Sequence, residues 1–141
     1  MQTVTLGSFN SKDTDSVVDL WTICGLVRPW NDPRKDIERK LQVQPELFLV
    51  AHDGLRVVGT AMAGYDGHRG WIHYFAIHPE QQGRGLGRRL VQDIEQRLGA
   101  LGCPKIHLNV RSKNEAAADF WRAVGFESSD SLTFARRLIT D

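Results

Sequence analysis

The stretch Phe75-Ala76-Ile77-His78-Pro79-Glu80-Gln81-Gln82-Gly83-Arg84-Gly85-Leu86-Gly87-Arg88-Arg89 decides how this chain is read. It closes a predicted strand, turns at Pro79-Glu80, passes three alternate glycines and enters an amphipathic helix. Glycine at a strand-to-helix passage lets the backbone turn sharply and lets a ligand approach without meeting a Cβ. The first N–H groups of a helix have no intrahelical partners, and the macrodipole places partial positive charge there. Such a passage suits a phosphate or pyrophosphate, and Arg84, Arg88 and Arg89 add positive charge around it. The dinucleotide fingerprint G-x-G-x-x-G is not met, because the third glycine position counted from Gly83 is Arg88. No Gly-Lys-Ser/Thr follows, which excludes a P-loop. The glycines alone read equally well as a tight connection; the preceding Phe75 to Glu80 sharpens the signal.

The whole run resembles motif A of the GNAT acetyltransferase superfamily, whose core Gln/Arg-x-x-Gly-x-Gly/Ala is matched by Gln82-Gly83-Arg84-Gly85-Leu86-Gly87. A second stretch, Asn114-Glu115-Ala116-Ala117-Ala118-Asp119-Phe120-Trp121-Arg122-Ala123-Val124-Gly125-Phe126, resembles the family's Asn-x-x-Ala-x-x-aromatic-Tyr-x-x-x-Gly-Phe signature. The interval between them has room for one helix and one strand. The resemblance spans roughly Val57 to Phe126. Further segments are similar to the bacterial YpeA-like subgroup: Leu26 to Pro33, Asp36 to Lys40, Gly64 to Gly70 and Gly102 to Ile106.

At 141 residues the chain reads as a single domain, 1–141, large enough for a hydrophobic core. Its 41% hydrophobic and 25% charged content is that of an ordinary globule. The net charge of +1 speaks against a broad nucleic-acid-binding surface. Cys24 and Cys103 stand outside any metal-ligand spacing and read as reduced thiols. His52, His68, His73, His78 and His107 form no metal constellation, so no metal is expected. Lys12, Asp13, Asp15 and Asp19 interrupt the N-terminus where a signal peptide needs apolar residues. Leu47 to Ala51 is too short to cross a bilayer, so no membrane role is expected and the cytoplasm is the default location.

Periodicity predicts an edge strand over Gln2–Phe9 and a helix over Asp13–Val27. Asp32 as N-cap and Pro33 at the first helical position predict a second helix to about Val43. Strands are predicted over Leu47–His52, Arg56–Tyr65 and Trp71–His78, with turns at Asp53-Gly54 and Asp66 to Gly70. The helix after the glycines should bury Leu86, Leu90, Ile94, Leu98 and Leu101 and close at Gly102. Lys105–Val110 should be a strand, Asn114–Val124 a helix and Ser131–Leu138 the last strand. The expected fold is a mixed α/β arrangement, which the resemblance specifies as a six- or seven-stranded sheet with about four helices.

The resemblance implies acetyl-CoA as acetyl donor and a primary amine, on a small molecule or a protein, as acceptor in a ternary complex. It implies that backbone at Phe75, Ala76 and Ile77 pairs with the pantetheine arm. Gln82, Gly83, Arg84, Gly85, Leu86, Gly87 and Arg88 should hold the pyrophosphate. Asn114 should reach the cofactor arm, a role compatible with capping the helix it starts. Trp121 stands where many members carry the tyrosine that protonates the leaving thiolate, and an indole N–H is not an acid near neutral pH. The proton then comes from Tyr74 or from water, or the protein binds acyl-CoA with little catalysis. Tyr74 alternates with Ile72 and Ala76 and reads equally as a core aromatic. His73 and His68 are the candidate proton acceptors.

The ribosomal-protein N-terminal acetyltransferases, similar in both motifs, carry a glutamate base where this chain has Asn109. Trp30, Asp32, Tyr65, Asp66, His68, Asn109 and Trp121 are the candidates for shaping the acceptor pocket. Asp32 and Asp66 also read simply as a helix cap and a turn residue. A non-catalytic acyl-CoA sensor is the competing function, and a homodimer stays open as the commonest symmetric assembly.

Overall fold

The computed structural model describes residues 3–141. Its centre is a five-stranded sheet in the order β1-β2-β3-β4-β5. The strands are β1 (Val4–Ser8), β2 (Phe48–Asp53), β3 (Arg56–Tyr65), β4 (Gly70–Ile77) and β5 (Ile106–Leu108). The first four meet as antiparallel neighbours, whereas β5 runs parallel to β4. A parallel neighbour needs a crossover, and α3 (Leu86–Ala100) supplies it. Helices α1 (Thr14–Ile23), α2 (Pro33–Lys40) and α4 (Glu115–Ala123) complete the set.

The sheet buries both faces. Leu49, Ala51, Val58, Ala61 and Ile72 meet Leu86, Leu90, Ile94 and Leu98 of α3 and Trp121 of α4. On the other face Phe48, Val50, Val57 and Ala76 meet Val17, Leu20 and Trp21 of α1 and Ile37 of α2. The apolar run of β2 and β3 follows from this two-sided cover, since neither face is free to alternate with polar residues. Helix α2 begins as its sequence demands: Asp32 Oδ1 accepts from the backbone N–H of Arg34 at 2.9 Å, with Pro33 in the first turn.

Several elements depart from the sequence reading. Helix α1 stops at Ile23, because Gly25 takes a left-handed φ of 73°. Helix α2 ends at Lys40 rather than Val43, and β5 keeps only Ile106–Leu108 of the predicted Lys105–Val110. Leu101 lies beyond the last turn of α3 and is 50% exposed, outside the apolar stripe. The predicted strand Ser131–Leu138 does not form, so the sheet has five strands instead of six or seven. That segment is held by side chains: Thr133 Oγ1 donates to Asn109 Oδ1, and Arg137 donates to Asn31 Oδ1. Its Leu132, Phe134 and Leu138 stay solvent-exposed, so no apolar face is buried to reward pairing. Of the predicted first strand, Gln2 lies outside the described residues.

Candidate active site

The site is organised by an irregularity in β4. The β3–β4 register pairs Met62 with His73 and Thr60 with Ala76, so Tyr74 and Phe75 together face the single residue Ala61. This is a β-bulge, and Tyr74 carries it with a φ of 49°, a left-handed conformation few non-glycine residues adopt. The bulge resets side-chain alternation. Ile72, Phe75 and Ile77 point to the α3 side, while Tyr74 and Ala76 join the core under α1. Tyr74 therefore does not share a face with Ile72, and the consecutive residues His73 and Tyr74 both line one pocket.

Buried contacts hold the bulge. Trp21 Nε1 donates to Thr60 Oγ1 at 2.8 Å, and Thr60 Oγ1 donates to the Tyr74 carbonyl at 2.7 Å. The Tyr74 ring stacks on Trp21 with centroids 3.7 Å apart.

Next along the chain comes the glycine loop. Gly83 and Gly85 have φ values of 78° and 84°, and a Cβ on either would meet nothing within 4 Å. The loop's exposed side is thus open to a ligand, while its conformation calls for glycine. Helix α3 starts after Gly85 with no side-chain cap, which leaves its first N–H groups available. Gly87 has a different reason: a Cβ there would stand 2.9 Å from the Phe120 ring, so it sets the approach of α4 to α3. Arg88 donates to the Ala123 carbonyl and Arg89 to that of Val4, whereas Arg84 has no protein partner among the described residues. Gln82 Nε2 donates back to the Ile77 carbonyl at 3.2 Å. Asn114 Oδ1 accepts from the Ala117 N–H at 3.0 Å and caps α4. An open loop of left-handed glycines, an uncapped helix start and a free guanidinium fit a pyrophosphate.

On the opposite face a cavity of about 430 Å³ is lined by Asn31, Asp36, Arg39, Lys40, Met62, His73 and Tyr74. Asp36 is its hub. Tyr74 Oη donates to Asp36 Oδ2 at 2.6 Å, Arg39 donates to Oδ1 at 3.0 Å, and Asn31 Nδ2 also donates to Oδ2. Asn31 Nδ2 reaches Tyr74 Oη as well, at 3.0 Å. Burial, then the bond to the Asp36 carboxylate, pushes the Tyr74 phenol far above its ordinary range, so it stays protonated. Arg39 makes a second ion pair, at 2.6 Å, with Asp141. Hydrogen bonds from Arg39 and from the Asp32 N–H hold the Asp141 carboxyl down at about 2. His73 has its pKa pushed below the usual histidine value, first by burial and then by the Lys40 charge, with Asp36 opposing. That shift favours the neutral imidazole, although the side chain keeps an exposed edge.

Both proposed catalytic residues, His73 and Tyr74, thus stand in the cavity wall. None of the seven residues expected to shape the acceptor pocket lines this cavity. Trp30 is 59% exposed ahead of α2, and Asp32 caps that helix. The Tyr65 backbone is bound by the Gln44 amide. Asp66 accepts from the N–H groups of His68 and Arg69 in the β3–β4 turn. Asn109 is an exposed partner of Thr133. Trp121 is buried against Phe75, Phe120 and Phe126. Five wall residues escaped the sequence reading: Asn31, Asp36, Arg39, Lys40 and Met62. A signal existed, since Asp36, Arg39 and Lys40 are spaced i, i+3, i+4 and so share one face of α2.

A family model described as the acetyltransferase (GNAT) family matches residues 14–126. The chain belongs to that family. A GNAT relative named Acetyltransferase in Pectobacterium atrosepticum is 47% identical over 133 residues, covering 94% of each chain. One of the same name in Yersinia pseudotuberculosis is 45% identical over the same span. Among solved structures, an aminoglycoside N-acetyltransferase in complex with CoA superposes with a TM-score of 0.79, covering 97% of this chain and 96% of that one at 16% identity. Ard1 from Thermoplasma volcanium gives 0.77 over 89% and 84% of the two chains at 23% identity. At such identities these superpositions show the GNAT fold.

Proposed function

We propose that this GNAT acetyltransferase moves the acetyl group of acetyl-CoA to a primary amine by direct attack in a ternary complex. The observation that carries this reading is the β4 bulge at Tyr74–Phe75: one strand leads straight into the glycine loop and turns two consecutive side chains into the opposite cavity. Bound acetyl-CoA supplies an activated thioester. The loop from Gln82 to Arg88 and Arg84's free guanidinium would hold its pyrophosphate. Backbone N–H groups near Phe75 and Ala76, beyond the β4–β5 ladder that ends at Ile72, would polarise the carbonyl, with Ile77 pairing to the arm and Asn114's amide beside it.

The acceptor nitrogen attacks as its free amine, and neutral His73 takes the proton that nitrogen loses. Tyr74's proton is committed to Asp36, so Tyr74 positions the cavity wall. A thiolate with a pKa near that of ordinary thiols, about 8.5, leaves readily and takes its proton from water. The buried Trp121 supports α4 in this reading rather than donating a proton.

The test is thiol release from acetyl-CoA across a panel of small amines and peptides. Acceptor-dependent release is expected, and His73→Gln should lower kcat/KM by about 10²–10⁴ and remove its acid limb. Release unchanged in that variant would defeat the base assignment. Saturable acetyl-CoA binding without release over the whole panel would replace the enzyme with a sensor.

A further inference from the structure

The charges in the acceptor cavity are accounted for except one. Asp36 is saturated by Asn31, Arg39 and Tyr74. Arg39 is divided between Asp36 and Asp141, and Asn31 Oδ1 accepts from Arg137. Lys40 stands next to Arg39 on α2, and its ammonium has no carboxylate within ion-pair distance and no hydrogen-bond partner among the described residues. Glu46 reaches it only as a through-space charge. Its ammonium is nonetheless half-buried in the cavity wall, and desolvation pulls its pKa down. Burying a cation without a counter-charge is costly, and the cost is recovered when an anion arrives.

Gly64, near the end of β3, marks where the ammonium lies along the sheet: a Cβ there would stand in ordinary contact, at 3.4 Å, with Lys40 Nζ and with Gln44 Oε1. The Gln44 oxygen is already used by the Tyr65 N–H at 2.8 Å. Gly64 stands three strand residues beyond Ala61, the residue opposite the bulge, which is roughly 10 Å along β3. With the nitrogen to be acetylated at the bulge and an anion in contact with Nζ, that span of roughly 10 Å sets the scale of the acceptor, which an ω-amino acid of about six carbons approaches.

We infer that the acceptor is an amine that also carries an anionic group, a carboxylate or phosphate, and that Lys40 selects it by pairing with that group. The inference rests on the acetyl-transfer reading and names the substrate class of the same site. Lys40 acts here on specificity, at the far end of the acceptor from the reacting nitrogen.

The test uses the full chain with ε-aminocaproate, n-hexylamine and hexamethylenediamine, which share chain length and differ only at the far end. Each is measured for turnover with acetyl-CoA and for binding by calorimetry. Wild type should bind ε-aminocaproate at least roughly tenfold more tightly than either amine lacking the carboxylate, with the difference in KM rather than kcat. Lys40→Met should bring that ratio close to one, and Lys40→Arg should retain most of it. Acetyl-CoA affinity, measured separately, reports whether a variant has lost its fold. Equal affinity for the three ligands in wild type overturns the inference, as does a preference that survives Lys40→Met. A collapse of kcat for all three amines in Lys40→Met also overturns it, because Lys40 would then act in proton transfer. Preferential binding of ε-aminocaproate without turnover supports the anion site while defeating the acetyl-transfer reading.

Discussion

Removing one buried hydroxyl, Thr60→Val, isolates what keeps the bulge in β4. Thr60 is wholly buried and its Oγ1 serves two partners, accepting from Trp21 Nε1 at 2.8 Å and donating to the Tyr74 carbonyl at 2.7 Å. Valine has the same shape without the hydroxyl, so both partners are left unpaired, Trp21 Nε1 in a buried setting and the Tyr74 carbonyl in a part-buried one. Each orphaned buried group costs about 1–3 kcal/mol. The methyl gained returns part of that, about 0.8 kcal/mol. The net loss should be about 1–5 kcal/mol, which in a domain of this size lowers Tm by roughly 3–25 °C. Thr60→Ser keeps the hydroxyl and gives up a methyl, so it should cost only about 1 kcal/mol. The assay is denaturant unfolding of the three proteins side by side, with acetyl-CoA affinity measured on each. The Tyr74 carbonyl is an anchor of a left-handed residue, so affinity should fall with Thr60→Val more than with Thr60→Ser. A Thr60→Val protein within about 0.5 kcal/mol of wild type, or less damaged than Thr60→Ser, would refute the claim that the hydroxyl holds the bulge.

Gly87→Ala should destabilise by up to about 2 kcal/mol although alanine is the better helix former. Its Cβ would sit 2.9 Å from Cε1 and Cζ of Phe120, a ring confined by Phe75 and Trp121, and overpacking of this kind outweighs the propensity gain of about 1 kcal/mol. A raised unfolding midpoint would contradict the packing role, and Phe120→Leu should partly restore the double variant. His73 predicts a pH effect on stability. Its folded pKa is depressed, so the unfolded chain binds the proton more readily and stability is lost as pH falls below the unfolded value of about 6.5. Comparing the unfolding midpoints of wild type and His73→Gln between pH 7.5 and about 5 should show a steeper fall in wild type; parallel curves would remove the depressed pKa.

Local signals carried much of the fold. Strand β3 runs from Arg56 to Tyr65, as its bounding turns predict, and Asp32-Pro33 starts α2 where cap chemistry places it. The left-handed glycines at 83 and 85 were legible because the requirement is written in the residue type. Ser131–Leu138 shows where such reading stops. Alternation of Leu132, Phe134 and Leu138 states that a strand would have an apolar face, and says nothing of what lies opposite. Within the described residues no strand pairs with it, and the segment stays exposed. Trp30, Tyr65, Asp66 and His68 were drawn from segments similar to the YpeA-like subgroup, whereas the cavity wall is built by the phase of α2, which turns Asp36, Arg39 and Lys40 to one side.

The bulge matters most for how site residues are found in such a chain. A regular β4 places His73 and Tyr74 on opposite faces, so only one of them could meet the acceptor, and Tyr74 would sit with Ile72 against α3. Inserting one residue opposite Ala61 moves Tyr74 to the α1 side, where its hydroxyl finds Asp36 and its ring finds Trp21. Phe75 is thereby released toward α3 and packs against Phe120 and Trp121 of α4. One irregular residue thus ties the cavity wall on one face to the helix beside the glycine loop on the other. No periodicity argument can anticipate it, because the sequence Ile72-His73-Tyr74-Phe75-Ala76 holds no glycine to mark the left-handed position. The mark is in a neighbour: a buried threonine, Thr60, whose hydroxyl has no ladder role and is spent on the Tyr74 carbonyl. A lone hydroxyl in the apolar run of a central strand is therefore a usable pointer to strain in the strand beside it.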